Sequence, residues 1–263
     1  MRSVLITGAS GGMGRATARR LRDLGFRVFA LDRVEAVAEE GILPITADVT
    51  SEESVRAALS AVCQQTEHLY AIVHFAGIYM LDSLVEIEDE AFSRMLDVNL
   101  RGAYLINKTF LPLLEKGSRI LITTSELAPL DPLPFTGLYA VTKAALDDYA
   151  FSLRMELQLL GITVSVLRAG AVETDMLCVS TSALDRFCEK TKLYTCNASR
   201  FKAIVEGVEA RCIPPQKIAQ KAALILRKRK PAFAYAINRN PWLCLLHVLP
   251  KRLQLWVIRL VLR

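Results

Sequence analysis

No aspartate or glutamate follows Glu209 in this chain of 263 residues, and that absence says more than the net charge of +6. Residues 210–263 hold 12 of the 33 lysines and arginines and so carry +12, while the rest sets 21 basic residues against 27 acids and carries −6. A wholly cationic end on a mildly acidic body implies an anionic surface as partner, either a membrane leaflet or a nucleic acid. Nucleic acid is set aside, because the basic residues alternate with aliphatic ones and no recognised binding module is present.

Other shortages narrow the class. Only three histidines occur, and the six cysteines, Cys63, Cys178, Cys188, Cys196, Cys212 and Cys244, include no CxxC pair. Neither a metal centre nor a disulfide framework is indicated, and reduced thiols in a cytoplasmic protein are the plain expectation. No Pro/Gly/Ser-rich joint, low-complexity tract or internal repeat divides the chain, so one large domain is expected over residues 1–239. Before the first glycines stand one arginine and the short apolar run Val4–Ile6, too little for a signal peptide or a membrane span.

What the chain does have is alternation. Ser3–Thr7, Arg27–Leu31, Ile42–Ala47, Ala71–Phe75, Arg119–Thr123 and Gly161–Leu167 read as buried strands. Between them, Arg15–Leu24, Ser51–Gln65, Glu88–Leu114 and Leu138–Leu160 read as helices. That order predicts an α/β fold, a doubly wound parallel sheet with helices on both faces, followed by a C-terminal amphipathic extension. Ligands of such sheets sit beyond the carboxyl ends of the strands, where Asp32, Asp48, Ala76, Gly77, Ser125, Ala169 and Gly170 all fall.

Two constellations on that edge carry chemistry. Thr7, Gly8, Ser10, Gly11, Gly12, Met13 and Gly14 form a turn between the first strand and helix, where backbone N–H groups and the helix dipole can bind a pyrophosphate. Asp32 ends the next strand about 20 residues on, where a carboxylate accepts hydrogen bonds from ribose hydroxyls and repels a 2′-phosphate. This favours NAD(H), although the neighbouring Arg33 is the kind of group that embraces a 2′-phosphate and keeps NADP(H) open. Tyr139 and Lys143 are four residues apart, on one face of a helix, where the ammonium is expected to draw the phenol's pKa down from about 10. A tyrosine so placed exchanges a proton with an alcohol.

In this order and spacing the chain resembles a compact, single-domain short-chain dehydrogenase/reductase over roughly its first 210 residues, with hydroxysteroid and retinol dehydrogenase-like members as the nearest kind. The resemblance implies a Rossmann-like fold and identifies Asn99, Ser125, Tyr139 and Lys143 as the catalytic set. Tyr139 is then the acid/base, Lys143 tunes it and contacts the nicotinamide ribose, Ser125 holds the substrate oxygen, and Asn99 positions a water beside Lys143. Asp48 and Val49 match the pair near the adenine, and His74, Phe75, Ala76 and Gly77 stand where the family has Asn-Asn-Ala-Gly. His74 is read as a packed histidine rather than a ligand. Gly170, Val172 and Thr174 complete the cofactor contacts, though Ala169 replaces the family's proline. Ser125 lies 14 residues before Tyr139, slightly more than is usual, and Pro129, Pro132 and Pro134 sit in the loop that absorbs the difference. No metal is needed for hydride transfer of this kind, and a homodimer or homotetramer built on residues 94–114 and 138–160 is implied.

The substrate loop is expected over about residues 175–215, with Met176, Leu177, Leu184, Phe187, Leu193, Tyr194, Phe201, Ile204 and Val205 as its apolar side chains. With Leu130, Leu133, Phe135 and Leu138 opposite, they predict an apolar pocket suited to a steroid or retinoid. A 3-oxoacyl-thioester reductase using NADPH and a non-catalytic cofactor-bound scaffold are the alternatives. Residues 240–263 combine large aliphatics, Trp242, Trp256 and only positive charge, interrupted at Pro250. They predict either an interfacial helix on an anionic leaflet, making a peripheral membrane contact, or a tail folded over the substrate site or a subunit interface.

Overall fold

A computed structural model of the chain describes residues 1–34, 39–209 and 211–263, without the side chains of 175–182 and 208–209. Met176, Leu177 and Cys178, named above from sequence, therefore lie outside the described side chains.

The chain alternates in the expected way: β1 (Ser3–Thr7), α1 (Gly12–Asp23), β2 (Arg27–Asp32), β3 (Ile42–Thr46), α2 (Glu52–Cys63) and β4 (Leu69–His74). It continues with α3 (Asp89–Leu96), α4 (Gly102–Phe110), β5 (Leu114–Ser125), α5 (Gly137–Leu157), β6 (Thr163–Ala169), α6 (Asp175–Lys190), α7 (Thr195–Glu209), α8 (Pro215–Arg227), β7 (Ala234–Ile237), α9 (Pro241–Val248) and α10 (Lys251–Leu262). The seven strands form one sheet in the order β3-β2-β1-β4-β5-β6-β7, all parallel. Every residue of β1 is buried, as a central strand covered on both faces requires.

Two apolar layers hold the sheet. One packs side chains of α2, α4 and α5, such as Val55, Ile106 and Leu146, against Leu5, Phe29 and Ile120. The other packs Leu21 of α1 and Ile218 and Ala222 of α8 against Val4, Ile6, Val28 and Leu167. Strand order reverses between β1 and β4, and in this class of sheet the crevice at that reversal is where a dinucleotide lies.

Some boundaries depart from the sequence pattern. The helix expected over Glu88–Leu114 is α3 and α4 joined by a π-helical turn at Asp97–Arg101, and Leu114 already begins β5. A π turn adds one residue to the helical winding, which apolar periodicity does not reveal. β7 follows a basic run and Pro231, and its four residues gave no strand signal.

The cationic end is ordered against the body. Leu243, Leu246, His247, Gln254 and Ile258 face Leu127, Leu130, Asp131, Pro132 and Leu133 of the β5–α5 loop across a narrow cleft. Asp131 pairs with His247 at 3.1 Å and also with Lys251. Gln254 is buried and donates to the carbonyls of His247 and Leu249 at 3.1 and 2.8 Å, which closes the bend between α9 and α10. The inner face of the tail thus packs along the substrate side of the body. Among the described residues no helix is long and apolar enough to cross a membrane.

Candidate active site

The β1–α1 turn is shaped by what cannot fit there. Gly8 sits at φ 66°, and a Cβ on it would stand 2.5 Å from the backbone nitrogen of Ala76. One on Gly14 would meet the Gly8 carbonyl oxygen at 2.1 Å. Ser10, Gly11, Gly12 and Met13 thus present backbone at the start of α1, whose first turn holds no acid to compete for an anion, while Gly14 packs beneath them. Asp32 accepts from the Ser10 and Val34 backbone nitrogens at 2.9 and 3.3 Å, which ties the end of β2 to this turn.

A cavity of about 860 Å³ opens there, lined by the glycine turn and by Asp32, Arg33, Asp48, Val49, Ala76, Gly77 and Thr174. Asp48 accepts from both the backbone and the hydroxyl of Thr50 at 2.8 Å, and these bonds hold its carboxyl below the usual range. The donor cradle, the unopposed helix end and the carboxylate on β2 fit a dinucleotide, with its pyrophosphate on the turn and its ribose at Asp32.

The second constellation lines an adjoining pocket of about 210 Å³. The two share Met13, Phe75, Gly77, Ile78, Tyr79 and Thr174, so they adjoin along a common set of lining residues. Ser125, Tyr139, Lys143, Gly170 and Val172 line this second space. The Ser125 hydroxyl hydrogen-bonds the Tyr139 phenol and accepts from the Leu127 nitrogen at 3.2 Å. Lys143 Nζ lies 5.7 Å from the Tyr139 ring centroid and 3.4 Å from the Thr123 carbonyl oxygen.

The protonation balance departs from expectation. Burial pushes the Tyr139 phenol up to about 12, with the Ser125 bond opposing, and burial pulls Lys143 down to about 8. In the chain alone desolvation therefore outweighs the lowering expected from the lysine, and the phenol keeps its proton at neutral pH.

Asn99 lies on the π turn, buried behind the pocket rather than lining it. Its Oδ1 accepts from the Ile78 nitrogen at 2.7 Å, and its Nδ2 donates to the Ile78 carbonyl and the Thr142 hydroxyl at 3.0 and 3.1 Å. The amide clamps the β4–α3 loop to α5, which fixes Gly77 beside Lys143. His74 is buried, bonds Asn107 Oδ1 at 2.8 Å, and is pulled down to about 4 by burial, as a packed neutral histidine should be.

Several residues escaped sequence reasoning. Tyr79 stacks edge-on against Tyr139 at 4.7 Å, and its only sequence signal is closeness to Gly77. Arg168 of β6 and Thr124 of β5 bond Asp147 at 2.6 and 3.0 Å, tying the ends of both strands to α5. Glu126, next to Ser125, is buried in the pocket wall, with burial raising its carboxyl, and it accepts from the Asn240 nitrogen at 2.5 Å. Leu243 of the tail lines the same pocket.

Of the apolar residues expected around the substrate, Leu133, Phe201, Ile204 and Val205 line the pocket. Leu184, Phe187 and Tyr194 instead pack with Phe201 around Phe135, which adopts a left-handed φ of 62°. Leu130 faces the tail, Leu138 is buried in α5, and Leu193 is exposed. Among the described residues no group of histidines, cysteines or acids could hold a metal, and the five described cysteines are free.

A family model for short chain dehydrogenase matches residues 2–184. Estradiol 17-beta-dehydrogenase 2 of Mus musculus is 35% identical over 187 residues, covering 66% of this chain and 49% of that protein. The chain thus matches about half the length of that relative. The uncharacterized oxidoreductase YbbO of Escherichia coli is 31% identical over 262 residues, covering 95% of this chain and 91% of its own. The crystal structure of 3-ketoacyl-(acyl-carrier-protein) reductase from Brucella melitensis complexed with NADH superposes with a TM-score of 0.73 at 25% identity, covering 90% of this chain and 96% of that one.

Proposed function

Because the chain belongs to the short-chain dehydrogenase/reductase family, we propose that it interconverts a secondary alcohol and a ketone on an apolar substrate of steroid or retinoid type, with NAD(H). The observation that carries this reading is the shared wall of the two cavities, which sets Ser125 and Tyr139 beside the nucleotide cradle.

Bound nicotinamide supplies or accepts the hydride. The chain's own residues do the rest by orientation and proton transfer. Ser125 holds the substrate oxygen by hydrogen bond, and Tyr139 donates its phenolic proton to that oxygen in reduction or takes one from the hydroxyl in oxidation. Lys143 carries the compensating cation within reach of the ring, and Asn99 holds the loop that bears Gly77 against it. A neutral phenol in the resting chain is the donor form, ready for reduction.

The walls support an apolar substrate, because apolar side chains, among them Leu127, Leu133, Val172, Phe201, Ile204 and Leu243, make up more than half of the lining. The pocket's 210 Å³ is below the roughly 300–1,000 Å³ that encloses a drug-sized ligand. It takes the reacting ring or chain end, while the remainder of the molecule runs out between α7 and α9. A relative named for estradiol agrees with that chemistry.

Asp32 supports NAD(H) over NADP(H). The second reading, an NADPH-dependent 3-oxoacyl-thioester reductase, draws on Arg33 and Arg94, which both line the nucleotide cavity. Exposed Tyr104 on α4 and Val141, Phe151 and Met155 on α5 offer the faces for a homodimer or homotetramer. The exposed thiols of Cys63 and Cys196 suit the reducing cytoplasm. The test is reduced-nicotinamide absorbance followed with both cofactors against a panel of steroids, retinoids and acyl thioesters. Turnover confined to thioesters with NADPH selects the second reading, and cofactor binding with no turnover on any member marks a scaffold.

A further inference from the structure

The tail's inner face is accounted for by its packing on the β5–α5 loop, but its outer face is not. On α9, Trp242, Leu245 and Val248 recur every third residue and are 67%, 57% and 79% exposed. On α10, Gln254, Ile258 and Leu262 recur every fourth residue toward the body, leaving Leu255, Trp256 and Leu260 at 68%, 59% and 61% exposure. Arg252, Arg259 and Arg263 stand exposed among them, and no acid occurs on either helix. Exposed apolar side chains interleaved only with cations are what an amphipathic helix presents to a lipid interface.

We infer that the outer face of α9 and α10 docks on an anionic bilayer, with the aliphatic and indole side chains at the headgroup boundary and the arginines on lipid phosphates. Charge selects this occupant. A second copy meeting the same face across a two-fold axis would bring arginines against arginines, whereas an anionic leaflet complements every charge on it. Position gives the contact a use. Leu243 lines the catalytic pocket one residue from exposed Trp242, and Ile204 in the same pocket wall is 40% exposed, so the docked face lies beside the pocket's mouth. The docking does not rest on the catalytic reading, since it is read without turnover, and a soluble-substrate assay fails or succeeds independently of it.

Trp242 and Trp256 are the chain's two tryptophans, so fluorescence excited selectively at tryptophan reports this face alone. The full chain is titrated with vesicles of phosphatidylcholine, with and without phosphatidylglycerol, and floated through a density gradient. Emission should move to shorter wavelength and protein should rise with the phosphatidylglycerol vesicles, less so as salt increases. Arg252→Gln with Arg259→Gln should weaken that binding about 30-fold, at about 1 kcal/mol per cation. Leu255→Ser with Leu260→Ser, which keeps both indoles, should abolish flotation without changing the unfolding midpoint. The inference fails if the wild type stays at the bottom with unshifted emission, or if the leucine variant floats as the wild type does. It also fails if emission shifts with protein concentration in the absence of lipid, which would make a second copy the occupant.

Discussion

Lys143 Nζ stands 5.7 Å from the centroid of the Tyr139 ring, and burial drives the two groups in opposite directions, the phenol up to about 12 and the ammonium down to about 8. Neither shift suits a tyrosine meant to give up its proton unaided. The site instead keeps a buried, protonated phenol, with Ser125 bonded to it and a cation close enough to stabilise the phenolate as it forms.

Removing that proton alone is the direct test. Tyr139→Phe keeps the ring, its edge-on contact with Tyr79 and the local packing, and deletes only the oxygen. Turnover should fall by roughly 10²–10⁴-fold, the usual contribution of a positioned acid/base. NADH binding, followed by its fluorescence, should be little changed. Rates within a few-fold of wild type would place the proton transfer elsewhere.

Cofactor choice should reside at two neighbouring positions. Asp32 spends part of its hydrogen-bonding capacity on the Ser10 and Val34 nitrogens, and its charge faces the cavity that Arg33 also lines. Asp32→Ser removes the charge that repels a 2′-phosphate and should move the ratio of kcat/KM for NAD over NADP at least tenfold toward NADP. Arg33→Ala should move it the other way. Wild-type preference for NADP, with Asp32→Ser neutral, would assign discrimination to Arg33 and Arg94.

Two glycines separate folding from catalysis. A methyl at Gly14 would lie 2.1 Å from a backbone oxygen, so Gly14→Ala should disrupt the β1–α1 turn and abolish nucleotide binding. A methyl at Gly77 meets Asn99 Oδ1 at 3.3 Å and Lys143 Nζ at 3.4 Å, contacts that a small shift relieves. Gly77→Ala should therefore fold with an unfolding midpoint near that of wild type, yet lose turnover about tenfold or more by displacing the lysine. Equal activity would mean that Lys143 tolerates the shift.

Much of this site was legible because its signals are local. The glycine turn, Asp32, and the Tyr139–Lys143 pair each sit within one strand-turn-helix unit or one helix, and spacing alone puts them at the sheet's carboxyl edge. Residues that arrive from afar left no trace of their individual partners, although a tail over the substrate site is one of the two readings that residues 240–263 allow. Leu243 reaches the pocket only because α9 folds back from β7, a strand too short and too close to a basic run to read. Asn107 and Asp147 carry nothing in sequence that marks them as partners of His74 and Arg168. The direction of the Tyr139 shift has a related cause: the pair's spacing is visible in sequence, whereas the depth of burial that sets the direction belongs to the folded molecule.

His74 offers a pH test that leaves the chemistry untouched. It is buried on β4, bonded to Asn107, and held near a pKa of about 4, against an ordinary value of 6.5. Between those values the unfolded chain takes up a proton that the native state refuses, so stability falls as the pH drops through this window. Fully developed, a shift of that size corresponds to about 3 kcal/mol. Carboxylates also titrate there, so the comparison must be differential. His74→Asn does not titrate and retains an amide to meet Asn107. Urea unfolding at stepped pH should show the wild type losing more stability than the variant from pH 6.5 down to 4, with the gap closing above pH 7. Parallel curves would mean that His74 protonates in the folded chain at its ordinary pKa, and that its burial is relieved by local opening rather than by global unfolding.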